Sequence, residues 1–258
     1  MNNVLAIKNL KKNYNTIQGE ITAIEDVSFT LPQGIFLSIV GSSGCGKSTL
    51  LNIIAGLDDK TFGEITKENN LKIGYMLQDH ALLPWLTIFD NACLGLKLQQ
   101  KDTNENLEYV KSLLKTYGLS SFINKYPSEL SGGMKQRVAL IRTLATKPDL
   151  LLLDEPFSAL DYQSRLLVSD DVYQIIKNEN KTVIMITHDI AEAISLSDEI
   201  IVLSKRPATI KKHYKVSLTN KSTPIENRKS PEFPIYYDKI WRDLDVSIWK
   251  SKTIFKKY

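Results

Sequence analysis

The sequence predicts an α/β fold, and three observations carry that reading. Short apolar runs recur at 35–40 (IFLSIV), 150–154 (LLLLD) and 182–188 (TVIMITH), of the kind that form interior strands of a parallel sheet. Helical stretches separate them, and such alternation is the mark of an α/β architecture. The first run passes at once into a glycine-rich segment and then into LLNIIAGL, an apolar-faced helix.

In chain order, the first forty residues alternate in VLAIKNL, ITAIEDVSFTL and GIFLSIV. Period-two runs broken by Asn, Gly and Pro read as strands joined by turns, so an N-terminal antiparallel β region is expected. Between about 89 and 145 the pattern becomes mostly helical, as in NENLEYVKSLLKTYGL, which predicts a helical subdomain there. After Pro207 the character changes. Lys211, Lys212, Lys215, Lys221, Arg228 and Lys229 mix with Pro224, Pro231 and Pro234. This predicts an exposed, loosely structured stretch over 207–235, leading to a short amphipathic helix near 235–249. Its basic residues read as a solvated face, not a nucleic-acid patch. No internal repeat is present.

Composition narrows the classes. With 258 residues, 43% of them hydrophobic and 24% charged, the chain is long enough for one or two ordinary globular domains and is not disordered or collagen-like. A net charge of +4 is too weak to argue for nucleic acid. Two cysteines make no disulfide framework. Cys45 and Cys93 also lack metal-ligand spacing, and they read as small buried side chains in a reducing compartment. The longest apolar runs fall far short of the ~20 residues that a membrane-crossing helix needs. No export segment is expected at the N-terminus.

Three motifs carry chemistry. Gly41-Ser42-Ser43-Gly44-Cys45-Gly46-Lys47-Ser48 fits the phosphate-binding pattern G-x-x-x-x-G-K-[ST] between a strand and a helix. Glycines let backbone N–H groups turn inward around phosphates, and the following helix presents its positive end. Lys47 would supply a compact charge to the β- and γ-phosphates, Ser48 would be a Mg²⁺ ligand, and Thr49 could add a hydrogen bond. The second motif is LLLLDEP at 150–156, an acidic pair leaving a buried strand at the sheet edge where α/β proteins bind ligands. Asp154 is the candidate for holding Mg²⁺ through water, and Glu155 for facing an attacking water. Taken alone, the pair could instead cap a helix; the loop at 41–49 favours the catalytic reading.

The third motif is Leu130-Ser131-Gly132-Gly133-Met134 followed by Lys135-Gln136-Arg137. Ser-Gly-Gly opening a helix is a second phosphate-binding helix start, although one nucleotide site already has its loop. The physical resolution is that Ser131 serves the nucleotide of a second copy. Here the chain resembles the ATP-binding subunits of ABC transporters, over roughly residues 4–206. The resemblance implies a P-loop NTPase core at 1–206 with a helical signature subdomain, and a short extension at 207–258 without a separate regulatory domain. It also implies two ATP molecules with Mg²⁺, sandwiched head-to-tail between two copies. By the same resemblance Tyr14 is the aromatic that stacks on adenine. Gln78, in YMLQDH, reaches Mg²⁺ and the attacking water. Ser158-Ala159-Leu160-Asp161 crosses the dimer interface, and His188 is the switch contacting the γ-phosphate.

A narrower likeness joins HALLPWLTIFDNACLGL at 80–96, Met134 in the signature and KRPATI at 205–210 to the nitrate, sulfonate and taurine importer ATPases. It implies an ATP hydrolase on the cytoplasmic face of the membrane, docked through 79–90 to permease subunits and indirectly served by a solute-binding protein. A thiamine-precursor or other small-nutrient importer fits the same residues. A non-transport ATPase of this class acting on DNA or ribosomes fits less well, since the chain holds a single cassette without an inserted coiled coil. A small-molecule kinase leaves residues 131–137 without a purpose. Ser42, Thr143 and Glu199 depart from the residues usual in relatives (Pro, Ala and Arg), and none of them removes a group that does chemistry.

Overall fold

Strands β3 (Phe36–Val40), β6 (Leu150–Asp154) and β7 (Thr182–Thr187) are buried at every position, which is why their sequences lack polar alternation. In the computed structural model, which describes residues 3–17, 19–158 and 160–244, these strands form the middle of a mixed sheet. β3 lies parallel between β7 and β8 (Glu199–Leu203). β6 lies parallel between β7 and β5 (Ile73–Met76). Leu151 and Leu153 of β6 enter one core with Val110 and Leu140, while Leu150 and Leu152 enter another with Leu50 and Ile54. Each such side chain, fully withdrawn from water, contributes roughly 1.5–3 kcal/mol.

The N-terminal alternation is borne out. β1 (Asn3–Thr16) pairs antiparallel with β2 (Gly19–Pro32) and with β4 (Phe62–Lys67). Helix α1 (Lys47–Ala55) follows β3 as expected. The helical stretch is α2 (Ile88–Leu98), α3 (Asn104–Thr116) and α4 (Gly132–Leu144), with 3₁₀ turns at Ser120–Phe122 and Pro127–Glu129. Helices α5 (Tyr162–Asn178) and α6 (Ile190–Leu196) then connect β6 to β7 and β7 to β8.

The expected loose stretch at 207–235 is corrected. Ala208–Lys215 form strand β9, antiparallel to β8 and parallel to β2, so this segment stitches the parallel core to the N-terminal strands. Its lysines and His213 occupy exposed positions, and His213 Nε2 pairs with Glu199 at 2.7 Å. A strand exposed at three consecutive positions, Lys211 to His213, carries little apolar periodicity, which hides it from a pattern reading. Beyond it, α7 (Pro224–Asn227) and α8 (Phe233–Asp243) pack back on the core. There Ile240 is buried with Ile190, Ile194 and Ile200, and Asn227 is buried too, donating to the Ser195 carbonyl. Lys221 is partly withdrawn from water and is held at 2.7 Å by both the Ser197 carbonyl and Asp198. The terminal helix begins at Phe233, and its expected reach to 249 lies outside the described residues.

Candidate active site

The loop between β3 and α1 folds tightly because its glycines have no alternative. Gly46 sits at φ 115, and a Cβ there would meet the Ala23 carbonyl oxygen at 3.0 Å. A Cβ on Gly41 would lie 2.6 Å from Cys45 Sγ. Cys45 itself is buried, its thiol pushed up by desolvation, so the side chain packs the loop and only the backbone is left to serve a ligand. The turn delivers Lys47, Ser48 and Thr49 to the first turn of α1, where unpaired backbone N–H groups and the helix dipole favour anions. Lys47 is almost fully buried, and its ammonium donates to the carbonyls of Gly41 (2.8 Å) and Ser42 (3.1 Å). An ammonium has three donors, so one remains for a phosphate oxygen.

Asp154, at the C-terminal end of β6, is buried beside this loop. The Ser48 hydroxyl reaches its Oδ1 at 3.5 Å. The Tyr75 hydroxyl stands 3.3 Å from Oδ2 and 3.0 Å from Asn52 Oδ1. Burial pushes the Asp154 carboxyl above its usual range, and the hydrogen bonds from Ser48 and Tyr75 oppose that. A desolvated carboxylate next to a hydroxyl is a hard oxygen pair of the type a Mg²⁺ ion takes, so these residues fit that ion.

Glu155 adopts φ 43, in the left-handed region, with its N–H donating to the Ile186 carbonyl at 2.9 Å. Such a conformation is uncommon outside glycine and is typical of functional turns. Its Oε2 stands 3.0 Å from His188 Nδ1 and 3.5 Å from Gln78 Nε2, which is also 3.5 Å from Ser158 Oγ. The ends of β5, β6 and β7 therefore converge three of the residues singled out in the sequence. Tyr14 is fixed from behind: its hydroxyl donates to Asp58 (2.6 Å), and Lys12, ion-paired to the same carboxylate at 2.6 Å, lies 4.7 Å from the ring centroid.

Tyr14, Ser43, Gly44, Gly46, Lys47, Ser48, Thr49, Gln78 and Glu155 line one cleft of about 340 Å³, with Ile21, Ala23 and Arg206. That is the size range of small-ligand sites. Ser131, Gly132 and Gly133 are elsewhere. They line a second cleft of about 700 Å³ with Asp161 and Leu167, and it shares no residue with the first. Ser131 caps α4, its hydroxyl accepting from the Met134 N–H at 3.4 Å. Asp161 caps α5 through the N–H groups of Gln163 and Ser164. Ala159 lies outside the described residues.

The segment 79–90 is built largely by residues that the sequence reading passed over. Asn91, fully buried in α2, accepts from the Leu83 N–H and donates toward the carbonyls of Leu83, Leu86 and Thr87. Arg142 of α4 donates to the carbonyls of His80 (2.8 Å) and Ala81 (2.7 Å), and His80 Nε2 is 3.2 Å from the Gly132 carbonyl. A lone Asn inside the apolar helix IFDNACLGL is the signal for the first of these; nothing local marks Arg142 or Tyr75. Trp85 is left 70% exposed, Leu83 is half-buried, and Leu82 packs on the helical core.

The chain is similar to known proteins over most of its length. Residues 24–158 match a family profile described as ABC transporter. The nitrate import ATP-binding protein NrtD of Synechocystis sp. is 38% identical over 92% of this chain and 93% of its own length. The aliphatic sulfonates import ATP-binding protein SsuB of Bacillus thuringiensis subsp. konkukian is 40% identical over 89% of this chain and 91% of its own. Among solved structures, a dimeric post-hydrolysis state of the ATP-binding cassette MJ0796 with ADP and Pi superposes with a TM-score of 0.70 at 34% identity, covering 83% of this chain and 99% of that one.

Proposed function

Because the chain belongs to the ABC transporter family, we propose that it is the ATP-binding subunit of a membrane importer and hydrolyses ATP in sites shared between two copies. The observation that carries this reading is the convergence of Glu155, His188 and Gln78 beside the Lys47 loop, with Ser131 in a separate cleft. In it, Tyr14 stacks on adenine, and Gly41 to Thr49 hold the phosphates. Glu155 takes a proton from the attacking water, and His188 orients Glu155 and meets the γ-phosphate. Ser48 and Asp154, with Gln78 nearby, would hold Mg²⁺, which when bound neutralises the developing charge between the β- and γ-phosphates. The helix start at Ser131, Gly132 and Gly133 completes the site of the second copy. Only differential affinity of ATP and ADP for the closed pair can then move the membrane partner.

Among the described residues no helix is long and apolar enough to cross a membrane. Attachment to the cytoplasmic face therefore falls to permease subunits docked near 79–90, with a solute-binding protein acting indirectly. Residues 1–206 are read as the ATPase unit, to which the described residues of the extension add β9, α7 and α8. The solute class is a small anion of the nitrate or sulfonate type, by likeness to the named relatives. The test of the enzyme reading is phosphate release from Mg²⁺-ATP by the purified chain, compared with Glu155→Gln. Loss of at least about a hundredfold supports it, and unchanged turnover in the variant removes Glu155 from the role.

A further inference from the structure

Two apolar features adjoin the two halves of the proposed shared site, one beside each. On the loop side, α8 stacks Tyr237 on Trp241, with ring centroids 6.0 Å apart and planes 17° from parallel. A cleft of about 330 Å³ opens between this pair and Gly41, Ser42 and His188. Trp241 stays 37% exposed, although its neighbour Ile240 is fully buried and ties the helix to α6. On the signature side, Leu167 of α5 is 65% exposed and lines the same cleft as Ser131. Single exposed apolar residues are ordinary on a surface. These two share their clefts with residues that must meet across copies.

We propose that the Tyr237–Trp241 stack of one copy packs against the Leu167 surface of a second copy, making α8 part of the nucleotide-driven interface. This rests on the shared-site reading. A two-fold pairing that carries Ser131 of one copy to Lys47 of the other does so twice, and in the reading where His188 serves the same site it sets the surface around Ser131 against the surface around Ser42 and His188. The α8 groove is continuous with that second surface, and Leu167 with the first. Trp and Tyr are the residue types that most often anchor interfaces, and a half-exposed stack loses little further side-chain freedom on contact. Closing on ATP would bury Trp241, and opening would return it to water.

The test uses the full chain carrying Glu155→Gln, whose ATP-bound dimer is followed by sedimentation across a concentration series. Trp241→Ala and Leu167→Arg are then added singly and together, and binding of a fluorescent ATP analogue to the monomer is measured on each. The expected result is that each weakens the dimer by about tenfold or more, that the pair is less than additive, and that monomer nucleotide binding is unchanged. Dimerisation equal to the parent in Leu167→Arg overturns the proposal. That variant sits on an exposed helix face, so it carries the test even if Trp241→Ala fails to fold. Loss with Trp241→Ala alone assigns the groove to another occupant and overturns it as well. A Glu155→Gln parent that stays monomeric with ATP refutes the shared-site reading first, and this inference falls with it.

Discussion

Glu155 and His188 meet across the ends of adjacent parallel strands, with Oε2 3.0 Å from Nδ1. The pair fixes the direction of the carboxylate, because Glu155 leaves β6 in a left-handed turn that sends its side chain toward the end of β7. Glu155→Gln should bind ATP yet turn it over 10²–10⁴-fold more slowly, roughly the contribution of a general base. His188→Ala should also slow turnover with ATP affinity nearly kept. Steady-state rates within about threefold of wild type for Glu155→Gln would exclude it as the base.

Tyr75 is placed to hold Asp154, the proposed Mg²⁺ ligand, from behind. Tyr75→Phe removes the hydroxyl 3.3 Å from Oδ2 and leaves the ring in place. Outer groups that orient a ligand typically account for 10–100-fold in metal affinity. The variant should therefore need about tenfold more Mg²⁺ for half-maximal activity, and bind Mn²⁺ with ATP correspondingly more weakly by electron paramagnetic resonance. An unchanged metal titration would reduce Tyr75 to packing.

Glu192 supplies a pH dependence. It is buried in α6, and burial, with help from nearby Asp189, pushes its carboxyl from 4.5 up to about 7 against the hydrogen bond from the Thr187 hydroxyl (2.8 Å) and the pull of Arg165 and His188. The folded chain thus keeps a proton that the unfolded chain releases above 4.5. Stability contributed this way is complete below the unfolded value and is lost as pH rises toward about 7. The loss should be on the order of 1–3 kcal/mol. Glu192→Gln should flatten that slope in urea unfolding between acidic and neutral pH. A parallel slope in the variant would place the dependence elsewhere.

Trp85 projects from a loop whose backbone is pinned by Asn91 and Arg142, so its exposure reflects a built surface. Trp85→Ala should weaken co-purification with the permease and lower transport, while the isolated chain still binds ATP with near wild-type affinity. An unfolded or ATP-blind variant would make Trp85 part of the core.

Legibility followed locality. The loop at 41–49 and the acidic pair at 154–155 could be read because their chemistry needs fixed residue types at fixed spacing along one strand and its turn. The alternation of β1 and β2 was visible because one face of each is buried. β9 was not, since its exposed lysines dilute the pattern and its second partner, Ile24 to Asp26, lies far away in sequence, while the neighbouring β8 supplies the first. Tyr75 and Arg142 escaped because their partners, a carboxylate and two backbone carbonyls 61 to 79 residues away, are near them only in the folded chain.

The shared site is tested most directly by mixing two inactive chains. Lys47→Ala spoils the loop and leaves Ser131 intact; Ser131→Arg does the reverse. Each homodimer then has no complete site, whereas a mixed dimer keeps one, formed by Lys47 of one chain and Ser131 of the other. The expected result is near-zero ATP hydrolysis by each chain alone and recovery to about a quarter of the wild-type rate in an equal mixture, from random pairing of a two-fold dimer. Wild-type hydrolysis by Ser131→Arg alone would show that each chain completes its own site and would contradict the sandwich.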